Sequence, residues 1–170
     1  ADDFSKYAPL SEIPKIRWIW DSIPVQLAKE NNKFVFSHVK EGARAKDLED
    51  ALVWLTDAGL ATKLRYVEKP EIPLSAMADE TYFKLYMSDV GLLRRKSGIG
   101  HMSILDSNPL YSRYKGAIVE NFVKTQLDSL GIESYFWRAK ANAEVDFITD
   151  HFNTVIPVEV KSSDNTKAKR

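Results

Sequence analysis

The feature that most limits the fold of this chain is a change in the spacing of its apolar residues. They recur every three or four positions in three stretches and alternate one by one in five shorter ones. Between Ser11 and Asn32, Ile13, Ile16, Trp20, Ile23 and Leu27 form one helical stripe, with Ser11 as the expected N-cap, Asn31-Asn32 as the stop and a kink at Pro24. After the short apolar run Phe34-Val35-Phe36, a second helix is expected from Ala43 to Ala58. It carries Leu48, Leu52 and Leu55 on one face and is closed by Gly59. Leu60 to Val67 and Thr81 to Met87 alternate as strands around Pro70 and Pro73, and Asp89 to Leu93 turns into a short helix. A third long helix spans Lys115 to Leu130 and ends at Gly131. Strands are then expected at Ser134 to Arg138, Glu144 to Thr149 and Thr154 to Lys161.

This pattern predicts an α+β protein in two parts, residues 1–97 and 98–170, with the boundary at Gly98 and Gly100 and a loop up to Pro109. Helix, helix and a two-stranded excursion is the plan of a winged helix, in which the last helix before the strands enters a DNA groove. That helix here sets Arg44 and Lys46 against Asp47, Glu49, Asp50 and Asp57, a poor balance for phosphate contact. The triplet Arg94-Arg95-Lys96 is the better basic candidate, against the plainer reading of a solvated surface.

Composition narrows the chemistry. With 24 basic and 24 acidic residues the net charge is zero, so no overall basic excess points to nucleic acid. No cysteine is present, which removes disulfides, thiolate zinc sites and thiol nucleophiles, and the three histidines are far apart in sequence. A metal in this chain has to be held mainly by carboxylates. No apolar run is long enough for a bilayer and no signal pattern opens the chain, so a cytoplasmic, membrane-free setting is the expectation. The start at Ala1 and the polar tail Asp164 to Arg170 suggest a piece of something longer.

The candidate chemistry lies in the last two strands. A turn centred between Phe152 and Asn153 makes Asp146 the direct cross-strand neighbour of Glu159, with Cβ atoms about 5 Å apart. Two such carboxylates repel unless a cation lies between them, and oxygen ligands select magnesium or manganese. Alternation puts Asp146 on the face opposite Val145 and Phe147, and Lys161 beside Glu159, where an ammonium can orient a water or neutralise a phosphate. Glu120, at the border of the preceding helix's apolar stripe, can complete the ring. Spacing alone leaves a second reading, a solvated strand face of cross-paired Glu and Lys. Trp18, Trp20, Trp54 and Trp137 sit in periodic patterns and read as core or boundary aromatics. His151 reads as a surface turn residue.

Taken in order, Glu120-Asn121 in a helix, Tyr135-Phe136-Trp137-Arg138, Glu144-Val145-Asp146-Phe147 and Ile156-Pro157-Val158-Glu159-Val160-Lys161 resemble the PD-(D/E)XK pattern of restriction-endonuclease-like nucleases. More narrowly, the chain resembles the C-terminal region that follows the ATPase domain in a family of bacterial AAA-type ATPases. The motifs are Asp57-Ala58-Gly59-Leu60, Lys84-Leu85-Tyr86, Asp89-Val90-Gly91-Leu92 and Gly116-Ala117-Ile118-Val119-Glu120-Asn121. The resemblance implies a winged-helix-like part followed by a nuclease-like α/β core truncated after its Glu-x-Lys strand. It further implies Glu120, Asp146, Glu159 and Lys161 at the catalytic positions, and Asp146, Glu159 and Glu120 around Mg2+ or Mn2+. DNA and an attached ATPase domain are the implied partners. An unprotected sheet edge would favour a homodimer. No Gly-x-x-x-x-Gly-Lys-Ser/Thr loop occurs in the 170 residues, so ATP is expected only in a preceding domain. The alternative is a non-catalytic DNA- or protein-binding module that serves the ATPase.

Overall fold

The structure is a computed structural model that describes residues 4–99, 109–139 and 143–162. The expected loop up to Pro109 falls largely outside these residues. After a one-turn helix α1 (Phe4–Tyr7), the order is α2 (Ile13–Leu27), α3 (Ala45–Asp57), β1 (Ala61–Val67), β2 (Ala78–Met87), α4 (Val90–Lys96), α5 (Pro109–Ser129), β3 (Tyr135–Arg138), β4 (Glu144–His151) and β5 (Thr154–Val158). The protein is thus a mixed α+β fold. None of these helices is long and apolar enough to cross a membrane.

The helices follow the sequence pattern with local corrections. In α2, Ile16, Ile19 and Ile23 are fully buried, each worth about 2 kcal/mol of transfer free energy. The residue before α2 is Glu12, which makes no side-chain cap, so Ser11 does not serve as the N-cap. Pro14 in the first turn supplies the helix start instead. Pro24 lies inside the helix without ending it. Phe34-Val35-Phe36 does not form a strand. Phe34 N–H donates to the Phe83 carbonyl at 2.9 Å, and Phe36–His38 is a 3-10 turn. Asp89 caps α4 by accepting the Leu92 N–H at 2.7 Å.

All five strands lie in one sheet, in the order β2-β1-β3-β4-β5. β1 pairs antiparallel with β2 and parallel with β3, while β3, β4 and β5 form an antiparallel meander. The hairpin expected as a free-standing wing is therefore the flank of the sheet that also contains the C-terminal strands. The reason is burial: from Phe83 to Met87 every residue of β2 is buried, so both faces of that strand need cover. The main core joins α2 and α3 to Phe83, Leu85 and Tyr86 of β2, Ala117 of α5, Phe136 of β3 and Phe147 of β4. It thus runs across the boundary expected between 97 and 98. A smaller cluster of Val67, Leu74, Tyr135 and Ile148 fills the other face.

The β4-β5 register agrees with the turn read from sequence, because Phe147 faces Val158 and His151 faces Thr154. Phe152 (φ 48) and Asn153 (φ 59) are both left-handed, as the two central residues of a type I′ hairpin must be. The ladder nevertheless stops at Val158 and does not reach Lys161 as expected. Pro157 has no N–H to offer, and three residues later the Asp146 carboxylate takes the Val160 N–H at 2.7 Å in place of a backbone partner. Among the described residues strand β5 is an edge of the sheet, and Pro157 there discourages further pairing.

Candidate functional site: a carboxylate cleft

On the helix side of the sheet, α5, the segment after α2 and the strands β3 and β4 enclose a cleft of about 700 Å3. Its lining includes Asn32, Arg113, Glu120, Arg138, Glu144, Asp146 and Glu159. Three of the four residues expected to be catalytic, Glu120, Asp146 and Glu159, are therefore brought together. Lys161 does not line the cleft. Its ammonium is bonded to Glu159 at 2.5 Å on a side chain 72% exposed, because the chain has left the sheet by that point. The bonded carboxylate raises the Lys161 pKa in an exposed setting, where such a pair has little weight.

Asp146 reaches the cleft by a β-bulge. Between the pairs Tyr135-Ile148 and Trp137-Val145, two residues of β4 oppose only Phe136 of β3. Side chains of Asp146 and Phe147 accordingly both turn to the helix layer, one into the cleft and the other into the main core. Val145 and Ile148 pack on the far face. The expectation that Asp146 and Phe147 point to opposite faces is corrected here. An extra residue breaks the alternation and re-aims a side chain.

Glu120 is held in place from three sides. Its Oε2 accepts from Tyr86 Oη at 2.9 Å and from Asn32 Nδ2 at 3.1 Å, and Lys84 Nζ lies 3.9 Å away. The next residue of α5 fixes the height of the helix. Asn121 is fully buried, and its amide accepts from Met87 N at 2.9 Å and donates to Met87 O at 2.7 Å, as a neighbouring strand would. Tyr86, fully buried on β2, has its hydroxyl pKa raised well above normal by desolvation and by the adjacent Glu120.

The residue that sequence reasoning missed is Lys84. It is 1% exposed, with Nζ 2.5 Å from Glu144 Oε1 and 4.9 Å from the centroid of the Phe136 ring. Strand alternation gave no reason to single it out, but one signal was present: Phe83-Lys84-Leu85-Tyr86-Met87 is too apolar a run to leave a lysine in water. Arg138, with Nε 3.9 Å from Glu144 Oε2, adds a second cation at the rim.

Burial pushes the carboxyl pKa values of Glu120 and Asp146 upward. For Glu120 the Lys84 ammonium opposes the shift, and for Asp146 the bond from the Val160 N–H does, while Glu159 adds to it. A raised folded-state value means that the stability contributed by Asp146 is fully present below its unfolded pKa and is lost as pH rises through the folded one. Replacing it removes that loss. Asp146→Asn, which can still accept the Val160 N–H, is expected to be more stable than the wild type at pH 7. Thermal melts should show the gap open at pH 7 and closed at pH 4.

As a donor set the cleft suits a hard cation, since all the anionic ligands are carboxylate oxygens. Among the described residues no group of three or more such side chains is assembled around one point. Magnesium does not require one. It is commonly held by one or two carboxylates, with waters and substrate phosphates completing its octahedron. Asp146 and Glu159 each have one oxygen engaged, with the Val160 N–H and with the Lys161 ammonium, whereas the Glu120 carboxylate is engaged with three side chains, those of Tyr86, Asn32 and Lys84.

Fold and site together define a mixed α+β protein with an acidic cleft beside a bulged strand. The chain belongs to the family described as a domain of unknown function (DUF8612), whose model matches residues 1–103. Residues 115–170, which carry most of α5, the meander and every cleft carboxylate but Glu30, match a second domain of unknown function (DUF4143). No curated protein and no solved structure matches the chain.

Proposed function

We propose that this chain is the C-terminal region of an AAA-type ATPase, and that its cleft is the divalent-cation site of a nuclease-like module acting on DNA. The observation that carries the reading is the convergence of Glu120, Asp146 and Glu159, from α5, β4 and the end of β5, on one cleft. The match of residues 115–170 to a domain typical of AAA-ATPase-associated proteins supports the attachment. Asp146 and Glu159 would hold Mg2+ or Mn2+, Glu120 would support them from α5, and Arg113 and Arg138 at the rim would draw in a phosphate. When bound, the cation would neutralise charge on the phosphate and acidify a ligated water. The helical part, with Arg44 and Lys46 at the start of α3, would be the winged-helix-like element of the same reading.

Calorimetric titration of the chain with Mn2+ tests this. Saturable binding that disappears in Asp146→Ala is expected, and no binding by the folded wild type would overturn it. A second reading, a non-catalytic DNA- or protein-binding module, is favoured by Lys161, which is turned to solvent and bonded to Glu159. DNA binding that weakens steeply with salt, without strand cleavage in Mg2+ or Mn2+, would select that reading.

A further inference from the structure

The lysine that bears on the cleft arrives from the other edge of the sheet. Lys84 rises from β2, three strands away from β4 in the sheet order, and its ammonium is enclosed by Glu144 of β4, Glu120 of α5 and the ring of Phe136 of β3. It is shielded from solvent, at 1% exposure, so its charge is not screened by salt as that of Lys161 is. A charge buried in this way acts at several-fold greater strength than one in water on anything that enters beside it.

Resting on the reading of the cleft as a cation site, we infer that Lys84 is a positioning residue that sets the affinity and the ligand choice of that site. By engaging Glu144 and Glu120, it withdraws both from the ligand set and leaves to a divalent ion Asp146 and Glu159, each engaged through one oxygen only, with the Val160 N–H and with the solvent-exposed Lys161. Its positive charge also repels that ion, so the cleft holds a cation weakly until a phosphate arrives to share it. The resident ammonium does for Glu144 and Glu120 what an external cation does for Asp146 and Glu159. Lys84 needs no contact with the reacting atoms for this role.

The test is Mn2+ affinity, measured by calorimetry on the full chain as wild type, Lys84→Met and Lys84→Arg, with folding checked by circular dichroism. Lys84→Met is expected to bind Mn2+ at least tenfold more tightly than the wild type, because two carboxylates are released and a repulsive charge is lost. Lys84→Arg, which keeps the charge, is expected to stay within threefold of the wild type. A folded Lys84→Met that binds no more tightly than a wild type that does bind overturns the inference and leaves the cation site standing. Binding by Lys84→Met alone supports the inference while removing the cation site from the wild type, and binding by neither overturns both. If Lys84→Met does not fold, Lys84→Arg decides: an affinity within threefold of a binding wild type upholds the role of the charge, and any larger change, or no binding by either, overturns it.

Discussion

Replacing Lys84 by Met at pH 7 is expected to lower the unfolding free energy by about 3 kcal/mol, the low end of what breaking a buried ion pair costs. Met has nearly the same volume and suits the apolar wall of Phe136, so the loss is not one of packing. It comes from leaving Glu144 and Glu120 on the floor of the cleft with no opposite charge of the described residues within 4.0 Å apart from Arg138 Nε at 3.9 Å from Glu144. Both carboxylates keep some contact with water, with side chains 23% and 19% exposed, which places the figure at the low end. The sign of the pH dependence follows. Without the ammonium that opposes it, the raised folded-state pKa of Glu120 rises further, so the variant loses stability relative to the wild type as pH climbs from about 4 to neutrality. Urea unfolding at pH 4 and pH 7 measures this. A deficit equal at both values would mean that Lys84 contributes packing alone.

Asn121→Leu is expected to cost about 3 kcal/mol, and for a different reason. The asparagine amide satisfies both backbone groups of Met87, at 2.9 and 2.7 Å, at the end of an edge strand from which water is excluded. Leucine is close in size but offers neither donor nor acceptor, so a buried N–H and a buried carbonyl are left unpaired, each at about 1–3 kcal/mol. Asn121→Asp separates the two halves of the interaction. It keeps an acceptor for Met87 N–H but sets a carboxylate against Met87 O, and it should destabilise at pH 7 and recover as the pH falls toward 4. Hydrogen exchange gives the decisive readout. In Asn121→Leu the Met87 amide should lose protection selectively, together with the Glu120 end of α5, while the β3-β4 amides keep theirs.

The two experiments share one structural cause. Glu120 and Asn121 are adjacent on α5, and one carries the cleft's charge network while the other fixes the helix to β2. A helix shifted by the loss of Asn121 would move Glu120 away from Tyr86 and Asn32, so the geometry of the cleft depends on a neutral residue that does not touch it.

Much of this molecule was legible in the order of its residues. The stripe on α2, the leucines of α3, the glycines that close α3 and α5, and the five strands were readable because each depends on contacts within a few positions of the chain. The β4-β5 register was readable for the same reason. A two-residue turn at Phe152-Asn153 fixes the pairs behind it as far as Phe147-Val158, and the expected pair of Asp146 with Glu159 lies just beyond the end of that ladder.

Tertiary structure decided what depends on residues far apart in the chain. The parallel pairing of β1 with β3 made the presumed wing part of the same sheet, through contacts such as Arg65 with Tyr135 that no local stretch of sequence encodes. The bulge opposite Phe136 turned Asp146 into the cleft, a register mismatch between two strands that neither strand encodes alone. Lys161 was chosen by sequence because it stands next to Glu159, yet the ladder ends before it. Lys84, 60 positions from Glu144 in sequence, took the inner place, because a charge buried in an apolar sheet must find its counter-charge wherever the fold brings one.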